Sequence, residues 1–136
     1  MVEINITYEG DLHCRAVHGP SGVVIETDAP VDNQGKGESF SPTDLLATSL
    51  GVCNLTLMGI YARGRNINMD GTKVRVEKHM TKEKPRKVER LVVEMDLPPG
   101  IPVDSREALE HAARTCPVSL SISPKIIVDL TFNYPD

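Results

Sequence analysis

The sequence predicts an α+β fold, and three observations carry the prediction. Period-two runs of apolar residues mark strands at both ends of the chain. One long apolar helical run occupies its middle, and two short helical segments precede the last strand. Strands and helices come in blocks and do not alternate one for one, which points to helices covering one face of largely antiparallel sheet. At 136 residues, with no long Gly/Ser-rich or Pro-rich linker, the chain fits a single domain, 1–136, able to bury roughly two thirds of its unfolded surface.

The first strand is read from Val2, Ile4, Ile6 and Tyr8, which share one face while Glu3, Asn5 and Thr7 share the other. Glu9-Gly10-Asp11 reads as a turn. Leu12, Cys14 and Ala16 continue the pattern on a second strand, with His13, Arg15 and Val17 opposite, and Gly22 to Thr27 makes a third. Asp28 to Phe40 contains Pro30, Gly35 and Gly37 and has no period, so it is expected to be a mobile loop able to act as a lid.

Ser41-Pro42 starts a helix, the serine capping orphan N–H groups and the proline filling the first turn, where its missing donor is no loss. The helix runs to about Arg63, with Gly64 as its stop, and roughly 23 residues at 1.5 Å each give it a length of about 35 Å. From Leu45 to Tyr61 only Thr48, Ser49, Asn54 and Thr56 are distinctly polar, so the helix needs burial on several sides. The run is shorter than the ~20 residues of a membrane span, and strands follow it, so burial against a second subunit explains it better.

Two strands follow, Lys73 to Met80 and Val88 to Leu97, the latter with Leu91, Val93, Met95 and Leu97 on one face. Asp104 and Glu107 resemble a capping box for a helix reaching Thr115. Cys116-Pro117 breaks that helix and starts another, Val118 to Ile122, before a final strand with Ile126, Val128, Leu130 and Phe132 turned inward.

Composition narrows the function. A net charge of −4 offers no general attraction to nucleic acid, and the locally basic stretch from Lys73 to Arg90 lacks the interleaved aromatics that stack bases. It is expected to be the solvated face of a hairpin. M-V-E-I-N-I-T-Y lacks the basic start and apolar block of a secretory signal, and three cysteines fit a reducing compartment, so the protein is expected in the cytoplasm. No G-x-G-x-x-G or P-loop pattern is present. His13, His18, His79 and His111 are scattered, and no C-x-x-C or H-x-x-x-H spacing suggests zinc.

The informative pair is Cys53, inside the apolar helix, and Cys116, in T-C-P-V-S-L. One thiol placed to be oxidised and a second to resolve it would make a thiol-dependent redox catalyst. Cys14 alternates with Leu12 and Ala16 on an apparent core face and reads as packing. A thiol at a helix N-terminus ionises more easily than one buried in an apolar wall, so local physics alone makes Cys116 the readier thiolate.

S-P-T-D-L-L-A-T-S-L-G-V-C, ending at Cys53, and C-P-V-S, from Cys116, resemble the two signature segments of the OsmC/Ohr family. The order of strands and helices is similar along nearly the whole chain. The resemblance implies an intertwined homodimer with largely antiparallel sheets around a long buried central helix. It also implies reduction of organic hydroperoxides, with Cys53 peroxidatic, Cys116 resolving, and no metal, flavin or other cofactor. The family reopens its disulfide with lipoylated proteins or small dithiols. The apolar helical wall of Leu50, Leu57 and Met58 is expected to receive the organic part of the peroxide.

Cys53 then needs a cationic partner, and the family's arginine corresponds to Arg15, whose other reading is a surface residue. Family peroxidases carry a glutamate directly after the helix-opening proline, where this chain has Thr43. Asp44 stands one position later, nine residues before Cys53 or about 13–14 Å along a helix axis, and could act only through an arginine or across a dimer. Its plainer reading is a first-turn acid. This departure resembles the less characterised OsmC-like branch. It keeps open two alternatives, a non-catalytic dimer binding an apolar or thiol-reactive small molecule and a redox sensor.

Overall fold

The computed structural model describes residues 1–135. Three antiparallel strands, β1 (Ile4–Gly10), β2 (His13–His18) and β3 (Val24–Asp28), form the first sheet in the order β1-β2-β3. Helix α1 (Pro42–Arg63) follows, then β4 (Lys73–Met80), β5 (Val88–Asp96), α2 (Val103–Arg114), α3 (Pro117–Ser121) and β6 (Ile127–Asn133). The second sheet has the order β4-β5-β6, with β4 antiparallel and β6 parallel to β5. The helices between β5 and β6 form the crossover that a parallel pair requires. The fold is therefore α+β as expected. The chain divides into two compact units, Met1–Leu46 and the remainder from Ala47.

In the first unit the β1–β2 turn is centred on Asp11 and Leu12, both with positive φ (53° and 60°). Leu12 is thus a turn residue, exposed, and not the start of a strand. Two consecutive left-handed residues match the right-handed twist of paired strands, and Gly10 takes up the accompanying bulge between the Tyr8 and Gly10 pairings. The segment expected to be a mobile lid is closed on its own backbone. Gly35 N–H donates to Pro30 C=O at 2.9 Å, and Asp28 N–H donates to Phe40 C=O at 3.1 Å. A Cβ on Gly35 would lie 1.7 Å from Ala29 O, so only glycine fits that crossing.

His13 on β2 stands opposite Asp28 on β3. Its Nδ1 lies 2.7 Å from Asp28 Oδ1 and its Nε2 3.0 Å from Glu26 Oε1, and only the doubly protonated ring can donate at both ends. The hydrogen bond to Asp28, then that to Glu26, raises the His13 pKa above its ordinary value against a smaller desolvation cost.

In the second unit the core is the β5 face of Leu91, Val93, Met95 and Leu97, joined by Leu109 and Ala113 of α2, all buried. The β6 residues Val128, Leu130 and Phe132 are half-buried. Helix α1 buries a single stripe, Ala47, Leu50, Gly51, Asn54, Met58 and Ala62, at the three- and four-residue spacing of one helix face. Gly51 lets that face approach β4: a Cβ there would sit 2.8 Å from Val76 Cγ2 and 3.5 Å from Val74 Cγ1. The rest of α1 keeps apolar residues at the surface, with Val52 58% and Ile60 63% exposed, so its length and composition alone would suit a membrane span. Asp104 does not cap α2, whose N-cap is Pro102 without a side-chain bond; the acid lies in the first turn, where the helix dipole favours it.

Two predictions follow from this packing. Gly51→Ala destabilises by about 1–2 kcal/mol, read as a lower urea midpoint, because a stiff valine must yield by more than the ~1 kcal/mol that alanine adds to a helix; a Val76→Ala background reverses the sign. The raised His13 pKa means that its stabilisation is complete below the unfolded value near 6.5 and is lost as pH rises through the folded value. The urea midpoint therefore falls more between about pH 6 and pH 8.5 in the native protein than in His13→Asn.

Candidate functional site

Cys53 and Cys116 come together in the second unit, and both are free thiols. Cys53 lies in α1 beside the buried stripe and is half-buried. Cys116 follows α2, caps α3 and has no exposed surface. The Pro117 ring suits the first turn of α3, and the extended backbone of Cys116 (φ −69°, ψ 154°) turns its sulfur back over that turn. Ser119 N–H donates to Cys116 Sγ at 3.4 Å, and Ser119 Oγ lies 3.1 Å from it.

These contacts separate the two thiols electrostatically. Burial pushes the Cys116 thiol up, but the Ser119 hydroxyl and N–H, the Cys53 thiol and the Val118 N–H together hold it below the ordinary thiol value. Burial pushes Cys53 up. The Val118 N–H opposes that rise, while the hydrogen bond to Cys116 and the negative charge there add to it. The thiolate is thus easier to form at Cys116 than at Cys53, as the helix-terminus argument from sequence expects.

The residue that sequence reasoning left unassigned is Asn54. Fully buried on α1, it donates from Nδ2 to Ala113 C=O at 2.9 Å, and the same nitrogen lies 3.4 Å from Cys116 Sγ and 3.5 Å from Ser119 Oγ. The carbonyl contact fixes the amide orientation, since only the NH₂ can donate to it. Asn54 Oδ1 is then buried without a hydrogen-bond partner among the described residues, a condition that costs about 1–3 kcal/mol. A polar residue directly after Cys53, in register with Ala47, Leu50 and Met58, was the available signal.

Arg15 and Asp44 both belong to the first unit. Arg15 is exposed on β2 and paired across the sheet with Thr7 and Glu26. Asp44 Oδ2 accepts from Ser41 N–H at 2.9 Å while Asp44 N–H donates to Ser41 Oγ at 3.0 Å, so serine and aspartate cap each other at the start of α1. Cys14 is half-buried on β2. The expected apolar wall is corrected in part. Leu50 and Met58 are wholly inside the core on the stripe that meets β4, and only Leu57 of the three is partly accessible. A cavity of about 590 Å³ reaches Ser119, lined also by Arg114, Val128, Asp129, Leu130 and Thr131.

Residues 35–131 match the family model for OsmC-like protein. The fold is similar to that of a Psychrobacter arcticus 273-4 protein provisionally named for osmotic stress induction and detoxification response, with 44% identity, TM-score 0.92, and coverage of 98% of this chain and 96% of that one. It is also similar to an organic hydroperoxide resistance protein OsmC from Legionella pneumophila (18% identity, TM-score 0.76, 98% and 96% covered) and to the organic hydroperoxide resistance protein OhrB of Bacillus subtilis (15%, 0.68, 98% and 98%). No curated protein sequence matches the chain.

The order of ionisation is directly measurable. When the reduced protein is titrated upward from about pH 5, with thiolate absorbance followed at 240 nm, the first step is lost in Cys116→Ser and kept in Cys53→Ser. Retention of that step in Cys116→Ser would reverse the assignment.

Proposed function

The chain belongs to the OsmC-like family, and from that premise we propose that it is a thiol peroxidase that reduces organic hydroperoxides through Cys53 and Cys116. The observation that carries this reading is the meeting of two thiols far apart in the sequence, one partly accessible and one sealed, close enough to shift each other's ionisation. Accessibility makes Cys53 the sulfur that meets the peroxide, although Cys116 is the more acidic. The Cys116 sulfur beside it is then the base that takes the Cys53 proton.

The Cys53 thiolate attacks one peroxide oxygen, the O–O bond breaks, and the alkoxide leaves and is protonated to the alcohol, which puts a sulfenic acid on Cys53. Cys116 attacks that sulfur, and hydroxide leaves as water once protonated. The product is a Cys53–Cys116 disulfide, which an external dithiol of the lipoyl type or a small thiol reopens. Arg15 supplies the positive charge that favours the Cys53 thiolate, and Asp44 orients that guanidinium while capping α1. These steps use side chains alone.

The working form is a homodimer in the cytoplasm. Ile4, Ile6 and Tyr8 expose one apolar face of β1 (60%, 67% and 63%), and Val52 and Ile60 do the same on α1, which supports burial against a second copy. Thr43 at the family's glutamate position is the observation that favours the second reading, a dimer that binds a thiol-reactive molecule without turning it over.

Substoichiometric tert-butyl hydroperoxide added to the reduced protein is expected to produce a Cys53–Cys116 disulfide by intact mass, faster than hydrogen peroxide does, and dihydrolipoamide is expected to reverse it. Cys53→Ser is expected to be inert, Cys116→Ser to accumulate sulfenic acid, and Arg15→Ala to slow oxidation on the order of a hundredfold. Unreactive thiols in a folded dimer would establish the binding reading instead.

A further inference from the structure

The reducing half of the cycle has a direction that the oxidising half does not determine. A dithiol can open a Cys53–Cys116 disulfide at either sulfur, and two structural features choose between them. The first is access: Cys53 is half-buried, whereas Cys116 has no exposed surface. The second is the reception prepared for the sulfur that leaves. Around Cys116 Sγ stand Asn54 Nδ2 at 3.4 Å, Ser119 Oγ at 3.1 Å and Ser119 N–H at 3.4 Å, all held by buried or helical structure before any reaction occurs.

We infer that Asn54 is a positioning residue that holds Cys116 as the leaving thiolate, so that the reductant attacks Cys53 and Cys116 is released. This rests on the two-cysteine reading of the site. The attacking thiolate forms a bond to Cys53 Sγ, the Sγ–Sγ bond breaks, and its electron pair goes to Cys116 Sγ beneath the Asn54 amide. The second thiol of the reductant then displaces Cys53 from the mixed disulfide, leaving the reductant cyclised to its disulfide and Cys53 protonated from solvent. Both protein cysteines end reduced and one dithiol ends oxidised, so two electrons balance.

Exchange is faster when the departing thiol is the more acidic. Loss of the Asn54 amide therefore changes rate and direction together, which a purely structural role would not do. Asparagine suits the position because one NH₂ reaches three acceptors: Ala113 C=O at the end of α2, the Cys116 sulfur, and Ser119 Oγ inside α3. It ties the leaving group to the helix that carries the attacked sulfur.

The test begins from disulfide made with diamide, so it does not depend on peroxide turnover. Native protein, Asn54→Ala and Ser119→Ala are reduced with 2-mercaptoethanol, quenched in acid, and the mixed disulfide is located by peptide mass spectrometry. In the native protein the adduct is expected on Cys53 with Cys116 free. In both variants exchange slows about five- to tenfold and adduct begins to appear on Cys116. In a Cys53→Ser background, either substitution raises the midpoint of the 240 nm thiolate titration. Ser119 is only half-buried, so its variant tests the idea even if Asn54→Ala fails to fold. An adduct on Cys116 in the native protein, unchanged rates and midpoints in the variants, or no Cys53–Cys116 disulfide under diamide would each overturn the inference. A disulfide that forms with diamide and never with hydroperoxide would instead remove the peroxidase reading and leave this one standing.

Discussion

The contact between the middle of α1 and the junction of α2 with α3 brings Cys53 and Cys116 together from different elements, and the proposed two-cysteine chemistry depends on it. Asn54 makes that contact through Ala113 C=O at 2.9 Å. In a dry environment this bond is strong, and without it the carbonyl at the end of α2 would be left with the long bond from the Cys116 N–H at 3.4 Å. The same amide reaches the Cys116 sulfur. One side chain thus couples the geometry of the thiol pair to its electrostatics, while its Oδ1 goes without a partner among the described residues. Donors are supplied toward the Cys116 sulfur, and the acceptor end of the amide is the part sacrificed.

Helix α1 meets two demands with two faces. The stripe through Gly51 has to approach β4 closely enough to bring residue 54 inward, and the absence of a side chain at Gly51 permits it. Off that stripe the helix carries leucine, valine and isoleucine that the chain itself leaves partly uncovered. An apolar surface of that kind is tolerated when a partner covers it. The exposed face of β1 has the same character, so the sequence has invested apolar residues beyond what one chain can bury.

Much of this was legible beforehand because strand and helix periods are local properties. The faces of β5 and the break at Cys116-Pro117 follow from alternation and from proline chemistry, and the structure has them as read. The β1–β2 turn was misplaced because Leu12 looks like a strand residue by hydropathy, whereas the twist of the hairpin demands two left-handed residues at Asp11 and Leu12. The loop after β3 shows no period because its stitching consists of backbone bonds, such as Gly35 N–H to Pro30 C=O, that no side-chain pattern announces. Leu50 was read as pocket wall because the sequence shows that a helix is apolar all round without showing which stripe meets the sheet. Asn54 went unassigned for a related reason: its partners arrive from far along the chain.

In the proposed peroxidase, the position of the proton decides which sulfur reacts. A peroxide must meet a thiolate, and the accessible sulfur, Cys53, is the one whose pKa burial and its neighbour both raise. Ser119, Val118 and Cys53 instead hold the Cys116 thiol below its ordinary value, against the effect of its burial. Such a pair makes the Cys53 anion less favourable than the Cys116 anion, and in the proposed peroxidase something has to offset that difference. A cation approaching Cys53 would do so by favouring the anion there, and an arginine is suited to that because it stays charged at every relevant pH. The shifts of the two thiols are linked, and the greater acidity that favours the anion at Cys116 also makes it the better group to leave from the proposed disulfide.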